Sequence, residues 1–471
     1  MVVTKGKPNF TEGPIFNRLL LFTLPIIASS LLQVLYNMAD NIVVGQFSGD
    51  ESALAAVGQT SAYNSLLINL IIGISAGAGV VVAQLFGANK RKELSRSIHT
   101  AMTLSIIIGV GLCVVGLVIS KPVLSLIISV NNHAVLLDKA TLYMLIISAG
   151  MPALSVYNFG ASVLRSLGDS KTPLVVLGLS GLLNVGLNLV FVIVFSMSIA
   201  GVALATIISQ YVSAVCVVVL LLRHKDEACM LKVKELKITK PLLIRILYCG
   251  IPAAIQSAIF SFANMLLASA VGTLPVESIS ANTIAGNIDG ITYQCMNGFT
   301  SSVMTFAGQN FGAMKKDRIK KTFIYGIIQV AVIGIVVAQA ELLFAEEIAS
   351  LFIEADSPSR DVVIAETVSV MNAILNPYFL CGIMSVMAGF LRGLGFSTGP
   401  MISSVVSVLS VRLTWIYLFF PMNPTSITWL CVCYPITWIM TIIINCFILV
   451  YAWRKINKPL TEAKQEIPAN T

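Results

Sequence analysis

The sequence predicts an all-α integral membrane protein of twelve transmembrane helices in two pseudo-symmetric six-helix bundles. Composition is the first reason. Of 471 residues, 56% are hydrophobic and only 11% are charged, whereas a soluble domain carries about 25% charged residues. So few charges cannot cover a globule of this size, and most of its surface must face lipid. The second reason is a series of apolar runs near the roughly 20 residues that cross a bilayer. The third is an internal repeat at a spacing of 225 to 227 residues.

Taken in order, the runs lie at about 15–45, 53–85, 95–119, 134–162, 173–195, 200–222, 243–271, 279–311, 322–343, 362–390, 400–420 and 427–451. They read as helices because backbone polar groups in lipid must be satisfied within the segment, and the alternation of a barrel strand is absent. The first run continues past residue 36 without a small-residue cleavage site, so it reads as a span and not a signal peptide. Loop charge orients the set. With both termini inside, 26 of the 30 Lys and Arg fall on the inner side, including Lys5, Lys7 and Arg18, Lys90 to Arg96, Arg223 to Arg245 and Lys315 to Lys321. Three fall outside (Lys121, Lys139, Arg360) and Arg412 lies within a span. The positive-inside rule therefore places both termini in the cytoplasm of a cell bounded by this plasma (inner) membrane. It also explains the net charge of +8 without a nucleic-acid partner. The nine cysteines are scattered through apolar runs and read as small buried hydrophobes.

The repeat divides the chain. AQLFGANK at 83–90 matches GQNFGAMK at 308–315, LRSLGDSKTP at 164–173 matches LRGLGFSTGP at 391–400, and Pro25 and Pro252 share the second offset. Residues 1–225 then form a first lobe and 241–452 a second. A basic linker at 226–240 joins them, and 453–471 is a cytoplasmic tail. Six spans is an even number, so both lobes enter the membrane the same way, with a cavity expected between them.

Asp40 in MADNIVVG, the QLFGANK and QNFGAMK pair, and LRSLGDSKTP after the fourth run resemble the multidrug and toxic compound extrusion (MATE) family over nearly the whole chain. The resemblance implies a cation-coupled antiporter that exports organic, often cationic and amphipathic, compounds by alternating access. It also implies that the acid in the first span, Asp40, is the ion-coupling residue.

Ionisable groups at membrane depth are costly and mark function by default. Three stand out within the runs: Asp40 in the second half of the first, Asp289 about ten residues into the eighth and Arg412 near the middle of the eleventh. Around Asp40, Gln33, Tyr36, Asn37 and Asn41 form a polar stripe expected to face the cavity, although an interfacial acid at the outer end of a long helix is the structural alternative. The chemistry needs an acid whose protonation or ion occupancy changes during a cycle. The ion is H+ or Na+, and for Na+ the oxygens of Asp40, Asn37, Asn184 and Asn188 are available by type. Asn184 and Asn188 lie one turn apart on one face, where part of the family has Asn then Asp, and interhelical hydrogen bonding is their other reading. In the second lobe Gln256, Asn264, Asp289, Gln294, Asn297 and Arg412 are expected to line the substrate cavity, together with Gln33 and Tyr36 from the first. Asp289 and Arg412 are expected to pair, because each needs an opposite charge. The family's other acids, in spans 7 and 10, have no counterpart in the cores of those runs.

No enzyme is expected, since no histidine sits at membrane depth beside a nucleophile, and no GxxxxGK[ST] loop points to ATP drive. No cofactor is expected beyond the coupling ion. Partners are small organic cations and membrane lipids, and the working unit is a monomer. A flippase for a lipid-linked oligosaccharide is the competing function. Its anionic cargo would call for several basic residues facing the cavity, where this chain has one.

Overall fold

The computed structural model describes residues 9–47, 51–128, 134–353 and 358–457. Lys5, Lys7, His133 and the tail from 458 onward lie outside them. Among the described residues there is no strand. Nine of the described helices are long and apolar enough to cross a membrane, two further spans are bent pairs, and the more polar helix Val276–Gly312 completes twelve.

In the first half the spans are Ile15–Phe47, Glu51–Gly87, Arg91–Ile127, the pair Ala134–Ala149 and Met151–Ser166, Lys171–Leu189 continuing into Val190–Val194, and Ser198–Leu222. In the second they are Lys240–Val271, Val276–Gly312, Lys316–Leu343, the pair Arg360–Leu375 and Tyr378–Gly393, a helix running from Thr398 to Met422, and Ile427–Cys431 followed by Cys433–Asn457. They are numbered spans 1 to 12 below.

Repeat symmetry reaches the irregularities. Spans 4 and 10 bend by 47° and 43°, at Pro152 and Pro377, where the ring removes a backbone donor and clashes with the preceding turn. Pro25 and Pro252 lie inside unbroken helices. Gly168 and Gly395 both take φ +90° after the helices that carry the LRSLG and LRGLG motifs, a left-handed helix stop that suits glycine. Span 5 loosens into a π turn at Val190–Val194, and span 11 does so at Trp415–Phe419 and also at Val405–Leu409. That extra π turn has no partner in span 5.

The halves interlock at the end carrying the basic clusters, called the basic end below. Ile15, Leu19, Phe22 and Ile26 of span 1 belong to the buried cluster of spans 8 to 10, whereas Val43 and Val44 near its other end belong to the cluster of spans 2 to 6. Span 7 does the reverse, since Leu242, Ile246 and Ala254 join the core of spans 2 to 6. Each leading helix thus starts in the opposite half's core. Spans 2 and 7 cross with almost no side chain between them, and a Cβ at Gly77 would stand 2.4 Å from the Gly250 nitrogen. Small residues at Gly73, Gly77, Gly250 and Ala254 allow that approach.

The repeated motifs meet each other across this seam. Gln84 Nε2 donates to the Gly393 carbonyl at 2.9 Å, and Gln309 Nε2 donates to the Ser166 carbonyl at 2.8 Å. Gly87 and Gly312 make room for this exchange, for a Cβ on either would lie 1.9 Å from the opposing glutamine's carbonyl oxygen. Beside it the N-terminal segment is pinned down. Phe10 stacks on Phe306 at 3.9 Å, its N–H donates to Gln309, and Arg318 donates to the carbonyls of Phe10, Glu12 and Gly13. Of the cysteines, six are buried, Cys113 and Cys216 are half-buried and Cys446 is exposed, so the expectation of uniform burial fails at the last helix.

Gly77→Ala should lower the thermal unfolding midpoint of the purified protein, at a cost of about 1–3 kcal/mol from overpacking. Gly111→Ala, where a Cβ meets nothing within 4 Å, should leave it unchanged or raised.

Candidate functional site

Asp40 is half-buried on span 1, one turn beyond Tyr36. Tyr36 lies flat against Gly181 of span 5 and its hydroxyl donates to the Gly178 carbonyl at 3.1 Å. That contact turns the Tyr36 and Asp40 face of the helix toward spans 5 and 6. There Asn188 Nδ2 donates to Asp40 Oδ1 at 2.5 Å, and Thr206 Oγ1 of span 6 stands 3.4 Å from Asp40 Oδ2. Asn184 completes the group, donating to Thr206 Oγ1 at 3.4 Å and accepting from Asn188 Nδ2 at 3.4 Å.

Two features of this cluster bear on its chemistry. All of Asp40's hydrogen-bond partners are neutral, and among the described residues no Lys or Arg pairs with it. Thr206 has one hydroxyl hydrogen and two acceptors, Asp40 and the Val202 carbonyl at 2.9 Å, so it can serve the acid or its own backbone but not both. Asn188 is fully buried, and its Oδ1 has no partner. The site therefore holds an acid without a fixed counter-charge and a spare amide oxygen on the residue that binds it.

The predicted site residues separate. Asp40, Asn184 and Asn188 come together. Asn37 does not join them, because it lies exposed on the adjoining face with Gln33, and Thr206 takes its place. Sequence reasoning misses Thr206 because a threonine in an apolar run most often bonds its own helix. Tyr36 packs into the first half between spans 1 and 5, so it does not present its ring to an open cavity.

In the second half the expected pair of Asp289 and Arg412 is not formed. Arg412 is 2% exposed. Its Nη1 donates to Asn264 Oδ1 at 2.6 Å, and its guanidinium lies 4.9 Å from the Tyr434 ring centre. Span 11 also carries the unmatched π turn at Val405–Leu409. A π turn inserts one residue into the helix, so beyond it the repeat spacing grows from 227 to 228 and Arg412 falls where Asn184 stands in span 5. Asn264 is the repeat counterpart of Asn37 at spacing 227, and Asp40's own counterpart is Leu267, so spans 7 and 11 meet through a different pair of residues from the one that joins spans 1 and 5.

Asp289 lies near the Tyr378 hydroxyl instead, and its Oδ1 is buried without a partner. Nor is it the only other charge inside the second half. Glu341 of span 9 is 8% exposed and accepts from Thr292 at 2.8 Å, one turn along from Asp289. Gln256 is buried and bonded to Ser404 and Arg392, so it does not line an open space in this conformation. Gln294 and Asn297 are half-buried and Asn264 is exposed. No group of three or more His, Cys, Asp and Glu fit to hold a metal occurs among the described residues.

Comparison with known proteins agrees with this architecture. A family profile described as MatE matches residues 25–190 and 252–418. Those stretches begin at the two prolines of the repeat. The probable multidrug resistance protein YoeA of Bacillus subtilis (strain 168) is 25% identical over 457 residues, covering 96% of each chain. An FAD transporter of Shewanella oneidensis is 23% identical over 410 residues, 86% of this chain and 87% of that one. A solved structure of a multidrug resistance MATE family transporter in an outward-facing conformation superposes with a TM-score of 0.85 at 21% identity, covering 97% of this chain and 99% of that one.

Asn264→Leu should lower the unfolding midpoint, costing about 1–3 kcal/mol by leaving a buried guanidinium donor unpaired. Asn264→Asp should raise it by supplying the missing counter-charge.

Proposed function

The chain belongs to the multidrug and toxic compound extrusion family, MatE, and on that premise we propose that it is a secondary active multidrug efflux transporter that exports organic cations in exchange for H+ or Na+ bound at Asp40. The observation that carries this reading is the carboxylate itself. It is held by neutral groups inside an apolar span and has no fixed cation beside it. A charge so placed demands compensation, and an exchangeable cation supplies it. Either the coupling ion or a cationic substrate can fill that role, but not both at once, which is the requirement for antiport.

The neighbours suit both occupancies. With Asp40 ionised, Asn188 Nδ2 and Thr206 donate to it. With Asp40 protonated, the Asn188 amide turned over presents its oxygen to the acid's O–H, and Thr206 returns to the Val202 carbonyl. For Na+, the oxygens of Asp40, Asn184, Asn188 and Thr206 form an all-oxygen set. The exposed polar residues Gln33, Asn37 and Asn264 are the surface offered to the substrate, joined by Gln294 and Asn297 from span 8.

We place the basic end in the cytoplasm of the plasma (inner) membrane, as the loop charges require. The interlocked seam then closes the cytoplasmic side, and Asp40, on the far half of span 1, takes up its ion from outside while substrate is released. The relative named as an FAD transporter makes a flavin the competing cargo, with Arg412 as the group to receive its phosphates.

The test is uptake of a fluorescent organic cation into inverted vesicles containing the purified protein, with pH and Na+ gradients imposed separately. One gradient should drive uptake, and Asp40→Asn should reduce it by about tenfold or more, which needs only about 1.4 kcal/mol. Thr206→Val, losing one hydroxyl donor, should slow it by about two- to tenfold. Uptake indifferent to both gradients and to Asp40→Asn would overturn the antiporter reading in favour of a flippase, and gradient-driven flavin flux without cation flux would overturn the substrate class.

A further inference from the structure

At the basic end a cavity of 740 Å³ opens between the start of span 3 and the linker that leads into span 7. Arg96 lines it from span 3, and Lys234, Lys237 and Lys240 line it from the linker and the first residue of span 7. Among the described residues none of these four makes an ion pair. The one acid on the wall, Glu235, lies 3.6 Å from Lys232 Nζ, which also holds Glu227 at 3.0 Å. The cavity therefore concentrates unbalanced positive charge.

Its wall is built, not incidental. His99 is 2% exposed, and its Nδ1 lies 2.7 Å from the Ser95 carbonyl while its Nε2 accepts the Lys232 N–H at 2.9 Å. The ring is thereby held at both nitrogens, a bracket between helix and linker. One residue on, Thr100 Oγ1 accepts the Thr239 N–H at 3.1 Å. These bonds hold the linker against span 3 so that its lysines converge on Arg96.

We propose that this cavity binds the phosphate headgroup of an anionic phospholipid. Four basic groups around an open pocket match a phosphodiester that carries negative charge. The source is the bilayer, because the pocket sits where spans 3 and 7 leave the membrane and because apolar side chains alternate with the lysines along the linker. Val233 is 61% exposed, and Leu236 and Ile238 are half-buried. A soluble anion has no use for that apolar fringe, whereas an interfacial lipid does. A bound headgroup would tie the linker to the first half at the point where the chain passes into the second. Only the choice of the cytoplasmic leaflet rests on the orientation proposed above, and an assay in micelles does not depend on it or on transport.

The test uses the full chain purified in neutral detergent, titrated with phosphatidylglycerol or phosphatidylcholine, with bound lipid counted by native mass spectrometry and thermal stability followed in parallel. The wild type should bind phosphatidylglycerol in preference to phosphatidylcholine and gain stability from it. Lys234→Gln with Lys237→Gln and Lys240→Gln should weaken that binding by about 100-fold, at roughly fivefold per basic residue. The single variant Arg96→Gln, outside the linker, should move it the same way. Lys316→Gln with Lys320→Gln and Lys321→Gln removes equal charge from the start of span 9, away from the cavity lining, and should keep wild-type binding. Equal binding by the linker variant, or equal loss in the control variant, would overturn the site. Displacement of the lipid by millimolar inorganic phosphate, with the same stability gain from phosphate alone, would overturn the lipid assignment in favour of a soluble anion.

Discussion

Inside hydrocarbon a polar group must find its partner within the protein, and the positions of the partners found and not found organise this molecule. Backbone groups are satisfied by helix throughout the spans, and the departures are local. Two proline bends and three π turns recur at or near repeat-related positions, save one. Side-chain amides do the same work between helices. Gln84 and Gln309 reach across the seam to each other's repeat motif, which closes the basic end with bonds the bilayer cannot compete for. Against that background the unmet needs are conspicuous, and among them is the negative charge of Asp40, which only neutral groups meet.

The two halves carry opposite chemistry. In the first, spans 1 and 5 meet through Asp40 and Asn188, with Thr206 behind. In the second, spans 7 and 11 meet through Asn264 and Arg412. A single π turn, Val405–Leu409, brings Arg412 to the place of Asn184. The halves are therefore one fold with an acid site in one copy and a basic site in the other, and Asp289 and Glu341 form a separate acidic region on spans 8 and 9. The interlocking of spans 1 and 7 through both cores couples the halves mechanically, since a tilt of either leading helix disturbs the packing of both.

Much of this was legible in the sequence. Run length and charge gave the spans, and the paired motifs gave the repeat, because both are properties of local composition. Asp40 with Asn184 and Asn188 was legible because polar residues at helical spacing in an apolar run must turn toward one another and away from lipid. What failed depended on phase or on distant packing. The pairing of Asp289 with Arg412 rested on each charge needing an opposite one, whereas a neutral amide, Asn264, and the Tyr434 ring meet the guanidinium instead. Asn37 was assigned by residue type, whereas the face of span 1 that carries Tyr36 against Gly181 is the one that meets span 5. Thr206 and Glu341 looked ordinary, one as a threonine in an apolar run and the other as an acid near a helix end. The exchange of leading helices between cores left no trace in hydropathy, because a helix buried in either half reads alike.

The central claim is that coupling cation and organic cation compete for one carboxylate. The most direct test is to add a lipophilic organic cation such as tetraphenylphosphonium to purified protein in weak buffer and follow pH and free Na+ together. The account predicts that binding to the wild type releases a proton or a sodium ion, and that Asp40→Asn releases neither. Equal release from wild type and Asp40→Asn would contradict it.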